Sequence, residues 1–122
     1  MDLVQVRRVS ELLERRGERA LVRLFTPAEV ARCRASRSSP ESFAARFAAK
    51  EAFFKALGMG WGQGVAWTEV EVVSAPSGAP SLRLHGAAAT AAAERGVSRA
   101  HLSLTHTGDL AGAYVILEGG PG

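Results

Sequence analysis

Residues 46–58 read Arg46-Phe47-Ala48-Ala49-Lys50-Glu51-Ala52-Phe53-Phe54-Lys55-Ala56-Leu57-Gly58. With the residues from about 40 onward they predict the longest helix of the chain, on which a 100° step per residue separates three surfaces. Ala44, Ala45, Ala48, Ala49, Ala52 and Ala56 share an arc of roughly 140°, a face that can approach another backbone closely. Phe43, Phe47 and Phe54 form a stripe suited to a core. Arg46 and Lys50 border that stripe on one side, Glu51 and Lys55 on the other, so the charged groups sit at the edges of buried surface. Spacing alone leaves two readings of Glu51 and Lys55 open. One is an i,i+4 pair worth a few tenths of a kcal/mol. The other is a carboxylate among cations, arranged for a metal and a phosphorylated ligand.

Upstream, a short extended start passes into an amphipathic helix that carries Val6, Val9, Leu12 and Leu13 at helical spacing and ends at Gly17. A short segment, Glu18 to Phe25, leads to Thr26-Pro27-Ala28-Glu29, where a capping hydroxyl, a proline that needs no N–H and a glutamate three positions on mark a helix near 27–34. Ala35 to Ser39 reads as a loop, and Ser39-Pro40 repeats the start signal for the long helix. Beyond Gly58, Gly60, Gly62 and Gly64 the period becomes alternating. Val65 to Val73, Ser81 to Leu84, His101 to Thr107 and Ala111 to Leu117 are four strand candidates, the middle pair separated by an alanine-rich helix, Ala87 to Glu94. Helices followed by a mostly antiparallel sheet predict an α+β fold, one domain over 1–118 with a disordered tail over 119–122.

A chain of 122 residues, 47% hydrophobic and 22% charged, suits one core and excludes a two-domain enzyme. No apolar run approaches the length of a membrane span, and no signal-peptide core follows the first residues, so a cytoplasmic location is expected. The single cysteine, Cys33, excludes an internal disulfide, and no CxxC or HxxH spacing offers a zinc site. Any metal must be held by carboxylates. Residues 1–50 hold 11 Lys and Arg against 6 Asp and Glu, whereas residues 51–122 hold 4 against 6. That asymmetry steers the protein toward a polyanion without naming it.

Three blocks give the chain a strong resemblance to the holo-acyl-carrier-protein synthase family of phosphopantetheinyl transferases. Asp2-Leu3-Val4-Gln5-Val6-Arg7-Arg8 is similar to that family's N-terminal block. Arg46 to Gly58 follows its signature nearly residue for residue. His101-Leu102-Ser103-Leu104-Thr105-His106-Thr107, with Ala111 and Ala113, is similar to its last strands. The resemblance implies a 4′-phosphopantetheinyl transferase-like fold, with N-terminal helices and one long central helix packed on a small sheet. It also implies an enzyme that moves the phosphopantetheine arm of coenzyme A onto a serine of an apo acyl carrier protein. Adenosine 3′,5′-bisphosphate is released, and the holo carrier serves fatty acid or polyketide biosynthesis.

By the same resemblance Asp2 and Glu51 hold Mg²⁺; Glu51, directly or through a metal-bound water, is then expected to accept the serine proton, and Lys55 to lie on the pyrophosphate and stabilise or protonate the departing side. Arg46, Lys50, Lys55, His106 and Thr107 match positions around the phosphates of coenzyme A, and Gly58 opens a glycine-rich stretch that lets backbone approach them; the backbone near Gly78 to Pro80 borders the adenine. Arg8, Arg16, Arg19 and Arg23 are candidates for docking the acidic carrier; Arg8 matches a recurrent family arginine. A solvated helix face with internal salt bridges competes for the remaining arginines and is an equal alternative for Arg7 and Arg15. A homotrimer with active sites at subunit boundaries is expected. Two departures, Gln5 in place of a common glutamate and the few residues before Asp2, predict a loosely held Asp2 and weaker metal binding. An alternative function is a catalytically weak relative that binds coenzyme A or an acidic carrier without transfer. A nucleic-acid surface ranks last, because no aromatic platform is interleaved with the arginines.

Overall fold

The alanine face of the long helix sets the packing. In the computed structural model, which describes residues 1–60 and 63–119, this helix, α4 (Ser39–Leu57), lies across a three-stranded antiparallel sheet. The sheet has the order β1 (Asp2–Gln5), β5 (Leu110–Gly119), β4 (Val97–Thr107). Ala44 and Ala45 pack with Val6, Val9 and Ala111, and Ala48, Ala49 and Ala52 pack in one cluster with Ala113 and Val115. Ala56, read as part of the same face, is exposed. Methyl-sized side chains on both partners let helix and sheet approach closely, and Gly58 at φ 78° ends α4 in left-handed backbone.

Three helices precede α4: α1 (Val6–Arg16), α2 (Glu18–Leu24) and α3 (Pro27–Ala35). The expected capping box forms, with Glu29 N–H donating to Thr26 Oγ1 and Thr26 N–H to Glu29 Oε1. Leu21, Leu24, Phe25, Cys33 and Phe43 close a cluster beneath these helices. A second antiparallel sheet pairs β2 (Val70–Ser74) with β3 (Pro80–Leu84), and α5 (Gly86–Glu94) follows it.

Several expectations need correction. The strand placed over Val65 to Val73 begins only at Val70, because Trp67–Glu69 form a 3₁₀ turn. Glu69 holds this turn by accepting from Ala66 N–H and, through its other oxygen, caps α5 at Ala87 N–H. The single sheet is two sheets. Ser38, not Ser39, is the N-cap of α4. Gly119, assigned to the tail, pairs with Val97 at the end of the β4–β5 ladder; Gly62 and residues 120–122 lie outside the described residues. Asp2, expected on a loose end, is the first residue of β1, paired with Ala113 and buried. Among the described residues no helix is long and apolar enough to cross a membrane.

Candidate active site

Strand β1 and helix α4 bring together three of the residues singled out in the sequence. Asp2 is 7% exposed, and its Oδ1 accepts a hydrogen bond from Lys55 Nζ. Lys55 itself is 63% exposed, an ammonium standing at the mouth of the site. The pairing with Asp2 raises its pKa above the usual lysine value. Glu51, one turn before Lys55, lies against Asp2. Burial first, then hydrogen bonding to Asp2 and the charge of Asp2, push Glu51 from 4.5 up to about 7, against the pull of Lys55. Two ionised carboxylates have no donor to offer each other, and Asp2 Oδ2 is buried without a hydrogen-bond partner among the described residues.

That arrangement fits a divalent cation. The donors are hard oxygens, one of them orphaned, and their mutual repulsion is what a cation relieves. Among the described residues no cluster of three or more His, Cys, Asp or Glu offers a complete protein cage. Two carboxylates with the remaining positions left to phosphate and water is the habit of Mg²⁺.

The other expected site residues fall elsewhere. Arg46 is 7% exposed and points away from the carboxylates; its Nη1 lies 3.4 Å from Ser42 O and its Nη2 3.3 Å from Ser74 Oγ. It lines a cavity of about 520 Å³ that Gly78, Pro80 and Leu102 to Leu104 also border. His106 and Thr107 are exposed at the end of β4, opposite Ala111 and Leu110. The turn that follows them caps α1, with Val6 N–H donating to Asp109 O and Arg7 N–H to Asp109 Oδ1. Arg8, Arg16, Arg19 and Arg23 are exposed and without a carboxylate within 4.0 Å among the described residues, whereas Arg7 pairs with Glu11 at 3.9 Å.

Lys50 does not fit a role on the phosphates. It is 0% exposed, and its three N–H bonds go to Glu29 Oε1 at 2.9 Å, Trp67 O at 3.0 Å and Val70 O at 2.6 Å. Burial holds its pKa below the ordinary lysine value, against the pull of Glu29. Glu29 in turn accepts from Val72 N–H at 2.8 Å, so one ion pair ties α3, α4, the 3₁₀ turn and β2 together. The network continues outward: Thr26 Oγ1 donates to Glu71, which bonds His85. Burial would raise Glu71, but the Thr26 and His85 bonds and the charges of His85 and Arg83 outweigh it and hold the carboxyl below its usual range. Sequence reading saw Glu29 only as a capping residue. Its central position in the interior depends on β2, more than 40 residues away.

Known proteins resemble the chain over nearly its whole length. The family described as the 4′-phosphopantetheinyl transferase superfamily matches residues 1–115. The holo-acyl-carrier-protein synthase of Desulforudis audaxviator is 53% identical over 119 residues, covering 98% of this chain and 90% of that protein. The crystal structure of the corresponding synthase from Neisseria meningitidis superposes with a TM-score of 0.87 at 31% identity, covering 96% of this chain and 94% of that one. A complex of the Chronobacterium ammoniagenes synthase with coenzyme A gives 0.81 at 32% identity, covering 98% and 95%.

Proposed function

Because the chain belongs to the 4′-phosphopantetheinyl transferase superfamily, in its holo-acyl-carrier-protein synthase family, it transfers phosphopantetheine from coenzyme A to an acyl carrier protein, and we propose that Asp2, Glu51 and Lys55 are the residues that carry the transfer. The observation that supports this most directly is the meeting of Asp2 and Glu51, separated by 49 positions in sequence, beside an exposed ammonium.

Asp2 and Glu51 would hold Mg²⁺, which neutralises charge on the pyrophosphate when bound. Glu51, directly or through a metal-bound water, takes the proton of the carrier serine; its raised pKa of about 7 belongs to the metal-free site and falls when the ion binds. The serine oxygen forms its bond to the phosphorus bearing pantetheine as the bond from that phosphorus to the oxygen of adenosine 3′,5′-bisphosphate breaks. Lys55 is exposed enough to leave Asp2 for the pyrophosphate and meet the charge that develops on the departing side. Arg46 and its cavity take the nucleotide end, with the Gly78 to Pro80 turn against the base. Gly58, Gly60 and Gly64 would let backbone approach the pantetheine arm, and His106 and Thr107 would meet phosphates across a subunit boundary.

A homotrimer would supply that boundary. Leu3, Tyr114 and Ile116 are each more than half exposed on the face of the three-stranded sheet opposite α4, an apolar surface suited to burial against other copies. We place the enzyme in the cytoplasm with its substrates, feeding fatty acid biosynthesis. Incubation with Mg²⁺, coenzyme A and an apo carrier, followed by mass spectrometry, should show the carrier gaining one phosphopantetheine. A carrier with its acceptor serine changed to alanine should gain none; an unmodified wild-type carrier would refute the proposal.

Carrier docking is assigned to Arg8, with Arg16, Arg19 and Arg23 extending the positive surface. Arg8 borders an apolar pocket of about 360 Å³ formed with Val4, Val9, Leu12 and Phe47, and Phe47 is one turn of α4 from Glu51. A cation beside an apolar pocket at that distance suits an acidic helix presenting a serine. Arg8→Glu should raise the carrier KM about tenfold and leave the coenzyme A KM unchanged. An unchanged carrier KM would remove Arg8 from the docking surface.

A further inference from the structure

Helix α1 begins without a cap of its own. Strand β1 runs straight into it, Gln5 at the N-cap makes no side-chain hydrogen bond, and no acidic residue stands in the first turn. Arg7 and Arg8 stand there instead, at the positive end of the helix, where cations are disfavoured. The acceptors come from a residue 102 positions beyond Arg7. Val6 N–H donates to Asp109 O at 2.8 Å, and Arg7 N–H donates to Asp109 Oδ1 at 2.9 Å. Asp109 lies in the tight turn between β4 and β5, which Gly108 shapes with a φ of 57°.

The residue after Asp109, Leu110, borders the same apolar pocket as Arg8. One wall of that pocket is α1, with Arg8, Val9 and Leu12; another is the start of β5, and Asp109 bonds directly from one to the other. We propose that Asp109 is a positioning residue for carrier docking: its cap fixes the start of α1 against β5, so that Arg8 stands beside a formed pocket at the end of the strand that carries Asp2. This assignment rests on the reading of Arg8 as a docking residue. Charge alone predicts the opposite sign. Asp109 is exposed, and a carboxylate beside a surface that attracts an acidic partner repels that partner. Acting through its charge, Asp109 would weaken carrier binding; acting through its cap, it strengthens it.

The test measures the carrier KM, the coenzyme A KM and kcat in wild type, Asp109→Ala, Asp109→Asn, Arg8→Ala and the double variant Asp109→Ala/Arg8→Ala. Asp109→Ala should raise the carrier KM about fivefold, the binding equivalent of one lost cap. His106 and Thr107 stay paired with Ala111 and Leu110 in that variant, so the coenzyme A KM and kcat should stay within about twofold. Asp109→Asn keeps the acceptor and loses the charge, and should bind the carrier at least as well as wild type. Arg8→Ala should itself raise the carrier KM about fivefold, and Asp109→Ala should add less than twofold to it, because the cap acts through the placement of Arg8. A cap that serves stability alone would lower the active fraction, and so the apparent kcat, with both KM values unmoved. An unchanged or lowered carrier KM in Asp109→Ala, an asparagine variant as weak as the alanine one, or full additivity in the double variant overturns the assignment and leaves Arg8 in place. If Arg8→Ala leaves the carrier KM unchanged, the docking surface fails and the assignment with it.

Discussion

Glu51→Gln should lower transfer by about 10³-fold, the rate equivalent of several kcal/mol of lost charge stabilisation, and should leave the protein more stable above neutral pH, not less. The two expectations have one cause. Glu51 has a folded-state pKa of about 7 against an ordinary 4.5, so the folded protein holds an extra proton between those values. A carboxyl raised in this way contributes stability that is complete below about 4.5 and lost as pH rises through about 7. At pH 8 the metal-free enzyme bears the repulsion between Asp2 and Glu51, and glutamine removes it. Activity assays and thermal melts on one preparation check both halves. Melts of metal-free wild type should show stability from this pair falling between pH 4.5 and 7, with Mg²⁺ restoring it above that window. Because the ion displaces the shared proton, its apparent affinity should fall as pH drops below 7. A glutamine variant that is both active and less stable would mean that Glu51 serves the fold.

Lys50→Met should cost about 3–5 kcal/mol, the range for breaking a buried ion pair by removing one partner. Glu29 would keep a buried charge with only backbone and capping donors, and the carbonyls of Trp67 and Val70 would lose theirs. Lys50→Arg should not rescue it, since a planar fork cannot serve three acceptors arranged around a single nitrogen. Urea denaturation reads the loss. The fraction that folds should bind coenzyme A with wild-type affinity. Normal stability with a raised coenzyme A KM would return Lys50 to the phosphates, where the family resemblance puts it.

Lys50 also shows where sequence reading runs out. Helical spacing places Lys50 and Arg46 together at a core edge, and both are buried there. What covers each is decided by segments far along the chain. Trp67 and Val70 close over Lys50, whereas Arg46 opens on a cavity bordered by β3 and β4. Periodicity sees one element at a time and cannot tell these fates apart. The features it does carry are local: the alanine face of α4, the capping box at Thr26 and Glu29, the alternation of the later strands and the stop at Gly58. Those it misses depend on distant partners. Trp67–Glu69 alternate like a strand yet form a 3₁₀ turn, because the Glu69 carboxylate holds Ala66 and Ala87 at once. The start of α1 has no capping side chain of its own, since Asp109 provides the acceptor from the β4–β5 turn. Asp2 looks loose at a chain end and is fixed by its ladder to Ala113. The pairing of Asp2 with Glu51 was legible only through family resemblance, because no spacing rule joins two residues so far apart.

We propose that Asp2 and Glu51 share a divalent ion during transfer. A titration with Mn²⁺ as a paramagnetic stand-in for Mg²⁺, followed by electron paramagnetic resonance in the presence of coenzyme A, addresses it directly. Wild type and Arg8→Glu should bind the ion, and Asp2→Asn and Glu51→Gln should each lose it. Retention of wild-type ion affinity by both carboxamide variants would contradict the account.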